Sequence, residues 1–199
     1  MNVQLITGHG YYANAYIAGS VLIDAGVTPV AIEPYREQIT HIVLTHSHYD
    51  HIAYLRPLAD FTGAEICIHP SDAPGLISDR ESLSLNFGAH APGIRPDRLL
   101  SDGDIVDRWT VLHTPGHTTG SICLYDPVTC TLISGDTVFT DGAFGRFDFP
   151  GGSQNKLEES LQRLHGIDVK GLYPGHGIPV DSGGSHHISA ALQMIRMYG

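Results

Sequence analysis

The chain has 199 residues, 42% hydrophobic and 16% charged, with 21 acidic and 11 basic side chains for a formal net charge of -10. This composition reads as one folded domain over 1–199, not as a disordered chain. The acidic balance and the absence of any Lys/Arg run argue against a phosphate-backbone partner.

In chain order, "VQLIT", "YYANAYIAG" and "SVLIDAG" are apolar segments punctuated by glycine, which predicts short antiparallel strands. "VTPVAIEPYREQI" predicts a helix, and "HIVLTH" a buried β-branched strand. "DHIAYLRPLADFTG" has helical apolar spacing at Ile52, Leu55, Leu58 and Ala59, with Gly63 as the stop. "AEICIHP" follows as a strand and "PSDAPGLIS" as a short helix. Residues 79–100 carry few periodic cues and read as a long surface excursion of lid type. "DIVD", "WTVLHT", "SICLYD" and "CTLISGD" predict four strands separated by turns. "SQNKLEESLQRLHG" predicts a helix capped by Ser153 and ended by Gly166. "VKGLYPGHG" gives a last strand and loop, and "SHHISAALQMIRMYG" a closing helix. The order of elements suggests two sheets layered between outer helices.

No apolar run approaches the roughly 20 residues that span a bilayer, so no membrane partner is expected. "MNVQLITGHG" lacks the basic and apolar regions of a signal peptide. The three cysteines, Cys67, Cys123 and Cys130, are odd in number and lack C-x-x-C spacing, which predicts free thiols in a reducing compartment. A cytoplasmic protein with a small-molecule substrate is the resulting expectation. Nothing in the sequence speaks to oligomeric state.

Histidine stands out, with 13 copies against 11 for Lys and Arg combined. "THSHYDH" places His46, His48, Asp50 and His51 just after an apolar strand. Alternate residues of an extended backbone point the same way, so His46 and His48 can converge on one ion. Asp50 and His51, opening the following helix, can aim at a second point nearby. Nitrogen and carboxylate donors together suit zinc, iron or manganese, whereas calcium and magnesium prefer oxygen shells. "TPGHTTGS", "LISGDTVF" and "YPGHG" each release one further candidate from a strand into a glycine-flanked turn: His117, Asp136 and His176.

These segments, "THSHYDH", "PGHTTGS", "SGDTVF" and "PGHG", resemble the metallo-β-lactamase superfamily in order and context over residues 45–177. "GDTVFTDGAFGRFDFPGG" is similar to its glyoxalase II-like (hydroxyacylglutathione hydrolase-like) branch. The resemblance implies an α+β fold, a four-layer αβ/βα sandwich with two mixed sheets between outer helices. It also implies two divalent ions, zinc first, with iron or manganese as alternatives. One ion would be held by His46, His48 and His117 and the other by Asp50, His51 and His176, with Asp136 bridging. The implied activity is hydrolysis of a thioester by a metal-bound hydroxide. Asp50 and Asp136 are then the catalytic carboxylates, Asp50 also able to take a proton from the attacking water. Asp24 in "LIDAG" resembles the aspartate that orients a ligand histidine in the family. Arg146 in "FGRFD" would hold an anionic part of the substrate. The segment after "PGHG" is short and carries one basic residue of the Lys/Arg type, Arg196, so a thioester other than a glutathione conjugate stays open. The alternatives are an iron-dependent persulfide dioxygenase, or a lactonase or β-lactamase-type hydrolase on the same scaffold.

Outside that set, Tyr11 and Tyr12 read as packing residues with a rim position as the second choice. His113 reads as packed, Trp109 as core, and His9, His90, His186 and His187 as surface residues.

Overall fold

The computed structural model describes residues 3–197. The chain divides into two compact units, Met1–Leu100 and Ser101–Gly199. In the first unit β1 (Gln4–Ile6), β2 (Ala15–Ala18), β3 (Val21–Ile23), β4 (His41–Val43), β5 (Glu65–Ile68) and β6 (Arg98–Leu99) form one mixed sheet in sequence order. The three glycine-punctuated segments pair antiparallel as expected, and from β3 onward each step is parallel. A parallel step needs a crossover. A 3-10 helix, Pro29–Gln38, supplies it between β3 and β4, and α1 (Tyr49–Ile52) with α2 (Leu55–Thr62) supplies it between β4 and β5. One face of the sheet (Ile17, Leu22, Ile42, Ile68) forms a core with Ile32, Leu55 and Leu58 from these crossovers. Each fully buried Leu or Ile stabilises the fold by about 1.5–3 kcal/mol relative to exposure. Val21, Ile23, Val43 and Cys67, which alternate with them, are buried too, so the central strands read as continuous apolar runs.

Three elements differ from expectation. The helix at 29–38 is of the tighter 3-10 kind and contains Pro34, whose missing N–H cannot serve a regular α-helical ladder. The helix predicted from Asp50 to Gly63 is broken at Ala53 and Tyr54, because Pro57 cannot donate to the carbonyl of Ala53. Gly63 does end α2, in the left-handed conformation at φ 69° with its N–H on Ala59 O. The excursion at 79–100 contains a 3-10 turn, Ser84–Phe87, and the two-residue β6, neither of which has a periodic signature.

In the second unit β7 (Ile105–Val106), β8 (Trp109–His113), β9 (Ile122–Asp126), β10 (Thr131–Gly135) and β11 (Gly171–Pro174) form a mixed sheet in the order β11-β10-β9-β8-β7. The β10–β11 pair is parallel and the rest antiparallel. Leu157, Leu161 and Leu164 line one stripe of α3 (Gln154–His165). They share a core with Ile188, Leu192 and Ile195 of α4 (Gly184–Arg196) and with Cys123, Leu132 and Leu172 of the sheet. Ser153 caps α3 by accepting Lys156 N–H, as predicted. Trp109 is fully buried, and all three cysteines are free. Among the described residues no helix is long and apolar enough to cross a membrane.

Candidate metal centre

The first unit gathers four candidate ligands where β4 ends and α1 begins. The rings of His46 and His48 lie 4.8 Å apart and those of His46 and His51 4.0 Å apart, centroid to centroid. His51 Nε2 stands 4.0 Å from Asp50 Oδ2. The three imidazoles are almost wholly buried and Asp50 is half-buried. Potential ligand atoms of the pairs His46–His48, His46–His51 and Asp50–His51 each fall within 4.8 Å of one another.

Asp24 organises this group from the end of β3. It is a non-glycine residue at φ 63°, only 2% exposed, and its amide donates to Val43 O at 2.9 Å. Strain of this kind persists where the surroundings hold it, and here the carboxylate has several partners. Oδ1 accepts the Thr45 amide at 2.8 Å, and the Thr45 hydroxyl lies 2.8 Å from Oδ2. His51 Nδ1 also lies 2.8 Å from Oδ2. A carboxylate on Nδ1 fixes the tautomer that leaves the Nε2 lone pair for a ligand. Asp24 thus lies directly behind His51, one of the candidate ligand histidines.

Asp72 was not singled out by sequence reasoning. It is 4% exposed and its Oδ2 accepts the Ser47 amide at 2.9 Å, pinning the loop between His46 and His48. The same loop requires Gly75, since a Cβ there would stand 2.2 Å from Ser47 Oγ. The only local cue, an Asp in "PSDAPG", is indistinguishable from a turn residue.

The second unit contributes His117, Asp136 and His176. His117 lies in the turn between β8 and β9, which Thr114 N–H closes on Ser121 O at 2.8 Å. Asp136 leaves β10 and His176 follows β11. Because those strands are parallel neighbours, with Gly135 opposite Pro174, both residues emerge at the same end of the sheet. Asp136 Oδ2 lies 3.7 Å from His117 Nε2 and 3.7 Å from His176 Nε2. That is too long for a hydrogen bond. It is close to the roughly 3.3 Å that separates two donors on a tetrahedral ion when each stands about 2 Å from it.

His117 is oriented from behind as well: its Nδ1 lies 2.6 Å from the carbonyl oxygen of Arg146. That carbonyl can approach because residue 145 is glycine. A Cβ on Gly145 would lie 2.1 Å from Asp136 O and 2.8 Å from His117 Nδ1. The Arg146 side chain is engaged elsewhere, its guanidinium bidentate on Asp148 (2.9 and 2.6 Å) and 4.2 Å above the Phe149 ring. The carboxyl group of Asp148 is held below its usual range by that hydrogen bond.

The two buried thiols offer no competing nucleophile. Burial raises Cys123 to about 11 and Cys67 to about 12, leaving both protonated at neutral pH. His113 packs with its Nε2 on Thr119 O, and His9, His90 and His186 are exposed as expected.

The sequence model of the metallo-β-lactamase superfamily matches residues 10–176, so the chain belongs to that superfamily. It is 34% identical over 143 residues to a hydroxyacylglutathione hydrolase of Rhodospirillum rubrum, covering 69% of this chain and 48% of that one. It is 34% identical over 159 residues to the acyl-coenzyme A thioesterase MBLAC2 of Gallus gallus, covering 67% of this chain and 55% of that one. The chain thus spans about half the length of both relatives. Among solved structures, TTHA1623 in a di-iron-bound form matches with a TM-score of 0.79 and 29% identity, over 94% of this chain and 95% of that one. The fold class expected from the sequence is the one observed: α+β, two mixed sheets with flanking helices, as in these neighbours.

Proposed function

We propose, with membership of the metallo-β-lactamase superfamily as the premise, that the chain is a dinuclear metallo-hydrolase of thioesters, similar in reaction to hydroxyacylglutathione hydrolase. His46, His48 and His117 would hold one ion, Asp50, His51 and His176 the other, and Asp136 would serve both. Zinc is the first choice of metal; the di-iron form of a relative keeps iron as the second, and manganese suits the same donors. The observation that carries this reading is the orientation of His51 and His117, each with Nδ1 engaged from behind, by Asp24 and by the Arg146 carbonyl. Donors prepared in this way fit a divalent ion and have no purpose in a solvated polar loop.

When bound, the ion pair supplies Lewis acidity and a hydroxide at neutral pH. The chain's own residues do the rest. Asp24 and the Arg146 carbonyl keep two imidazoles in the ligating tautomer. Asp50, half-buried and beside His51, would accept a proton from water during attack. The protonated thiols of Cys67 and Cys123 take no part. Arg146 binds an anionic part of the substrate by exchanging it for Asp148. The substrate is a small molecule and the compartment the cytoplasm.

The test is hydrolysis of S-lactoylglutathione by protein loaded in turn with zinc, iron and manganese, followed by loss of the thioester absorbance. Turnover that falls about 100-fold or more in His48→Ala is expected. Absence of turnover with every metal would sink glutathione thioester hydrolysis.

A further inference from the structure

Five aromatic side chains of the first unit form a continuous arc. Tyr54 meets Tyr12 with ring centroids 5.4 Å apart, Tyr12 meets Tyr11 at 4.6 Å, Tyr11 meets Phe87 at 4.9 Å and Phe87 meets Tyr49 at 5.4 Å. Such spacings are those of favourable aromatic pairs, which normally lie inside a protein. Here Tyr11 is 55% exposed, the other four are half-buried, and Leu85 in the same turn as Phe87 is exposed. Rings from three separate segments have been brought together; Tyr54 packs against the core of the unit, and the arc reaches solvent at Tyr11.

The arc is tied to the ligand-bearing backbone at both outer segments. The Ala13 amide, next to Tyr12, donates to Asp50 O at 3.1 Å, and the Tyr49 amide donates to Ser82 O at 2.8 Å. The first contact is close enough that a Cβ on Gly26 would stand 2.5 Å from Ala13 O and 2.6 Å from Asp50 O. Tyr49 itself sits in the chain between His48 and Asp50. A surface built only to stabilise the unit has no need to begin at that residue.

Its chemistry is also one-sided. No charged side chain belongs to the arc. Such a surface can stack on and dehydrate an apolar group, and it offers nothing to neutralise a carboxylate or phosphate.

We propose that the arc Tyr54–Tyr12–Tyr11–Phe87–Tyr49 is the acyl subsite of this hydrolase and selects thioesters with an aryl or extended apolar acyl group over acetyl-sized ones. The proposal rests on the thioester reading above, and the experiment separates the two. Metal-loaded protein is given acetyl, octanoyl and benzoyl thioesters of a single thiol, N-acetylcysteamine. The larger acyl groups are expected to exceed acetyl in kcat/KM by roughly tenfold or more. That ratio falls toward one, through KM, in Tyr11→Ala and Phe87→Ala. Val128→Ser, at an 88% exposed position in the second unit, keeps the wild-type ratio. If Phe87→Ala does not fold, the exposed Tyr11 carries the test alone. Equal rates for all acyl groups, or a ratio that neither substitution moves, overturns the subsite and leaves the hydrolase standing.

No turnover of any thioester contradicts the hydrolase reading instead. The subsite is then decided by nuclear magnetic resonance, with the thioether S-benzyl-N-acetylcysteamine added to metal-free protein. Saturable shifts at Tyr11, Tyr49 and Phe87 that vanish in Tyr11→Ala support it, and absence of saturable shifts overturns it.

Discussion

Asp24 shows how much of the proposed site depends on residues that would touch neither metal nor substrate. Its buried carboxylate joins Thr45 to His51, so Asp24→Asn keeps the size but loses the charge behind the imidazole. A fall of about 10–100-fold in metal affinity is expected, read by titration calorimetry; wild-type affinity would show that Asp24 only shapes the turn. Gly145→Ala is expected to act more severely, since its Cβ would stand 2.1 Å from Asp136 O and 2.8 Å from the His117 ring. The measurement is metal retention after dialysis of variant that still folds, and full retention would contradict the close approach. Residues that follow one another along the chain were legible at this scale. "THSHYDH" announces four candidates because a strand-to-helix turn aims neighbours at one place. Asp72 and the Arg146 carbonyl were not, because their partners lie 25 and 29 residues away and a backbone carbonyl carries no residue-type signal.

Among the elements, α3 couples a legible signal to an illegible one. Its cap at Ser153 could be read from composition, and Ser153→Ala is expected to cost about 1 kcal/mol in denaturant unfolding, with no change pointing to a redundant cap. Its tie to the β7–β8 side could not be read. Arg163 donates to both oxygens of Asp102, at 2.7 and 3.1 Å, and to His113 O at 3.0 Å. Burial opposes ionisation of Asp102, but the hydrogen bonds from Arg163 and the His113 amide outweigh it and lower its pKa. A carboxyl group lowered in the folded state contributes stability above its unfolded value, near 3.9, and loses it as pH falls through the folded value. In metal-free protein, Asp102→Asn should therefore flatten the loss of thermal stability below about pH 4. Identical acid slopes in the two proteins would contradict that. The misread elements share one cause: proline and short length remove periodicity. Pro34 and Pro57 convert expected α-helix into 3-10 helix and a break, and two-residue β6 is too short to alternate.

For the whole molecule, two sheets with outer helices were legible because strands and helices alternate with clear punctuation, and the mixed character of the sheets was implied only by the family resemblance. The switch from antiparallel to parallel pairing at β3 was not legible, since Val21–Ile23 is apolar throughout and reads the same in either orientation. A metal ion that binds the folded chain and not the unfolded one stabilises the fold by mass action, so metal binding and global stability should be linked. Free metal at 100 times Kd is expected to stabilise the fold by about 2.7 kcal/mol per site, raising Tm by several degrees. Calorimetry showing the same Tm with and without metal would place binding outside the folded architecture. The most direct measurement is metal stoichiometry by mass spectrometry on wild-type protein and on His48→Ala and His176→Ala. Two equivalents per chain are expected, falling to one in each variant. A wild-type protein that binds one equivalent or none, or variants that both retain two, would contradict a dinuclear centre built from these seven side chains.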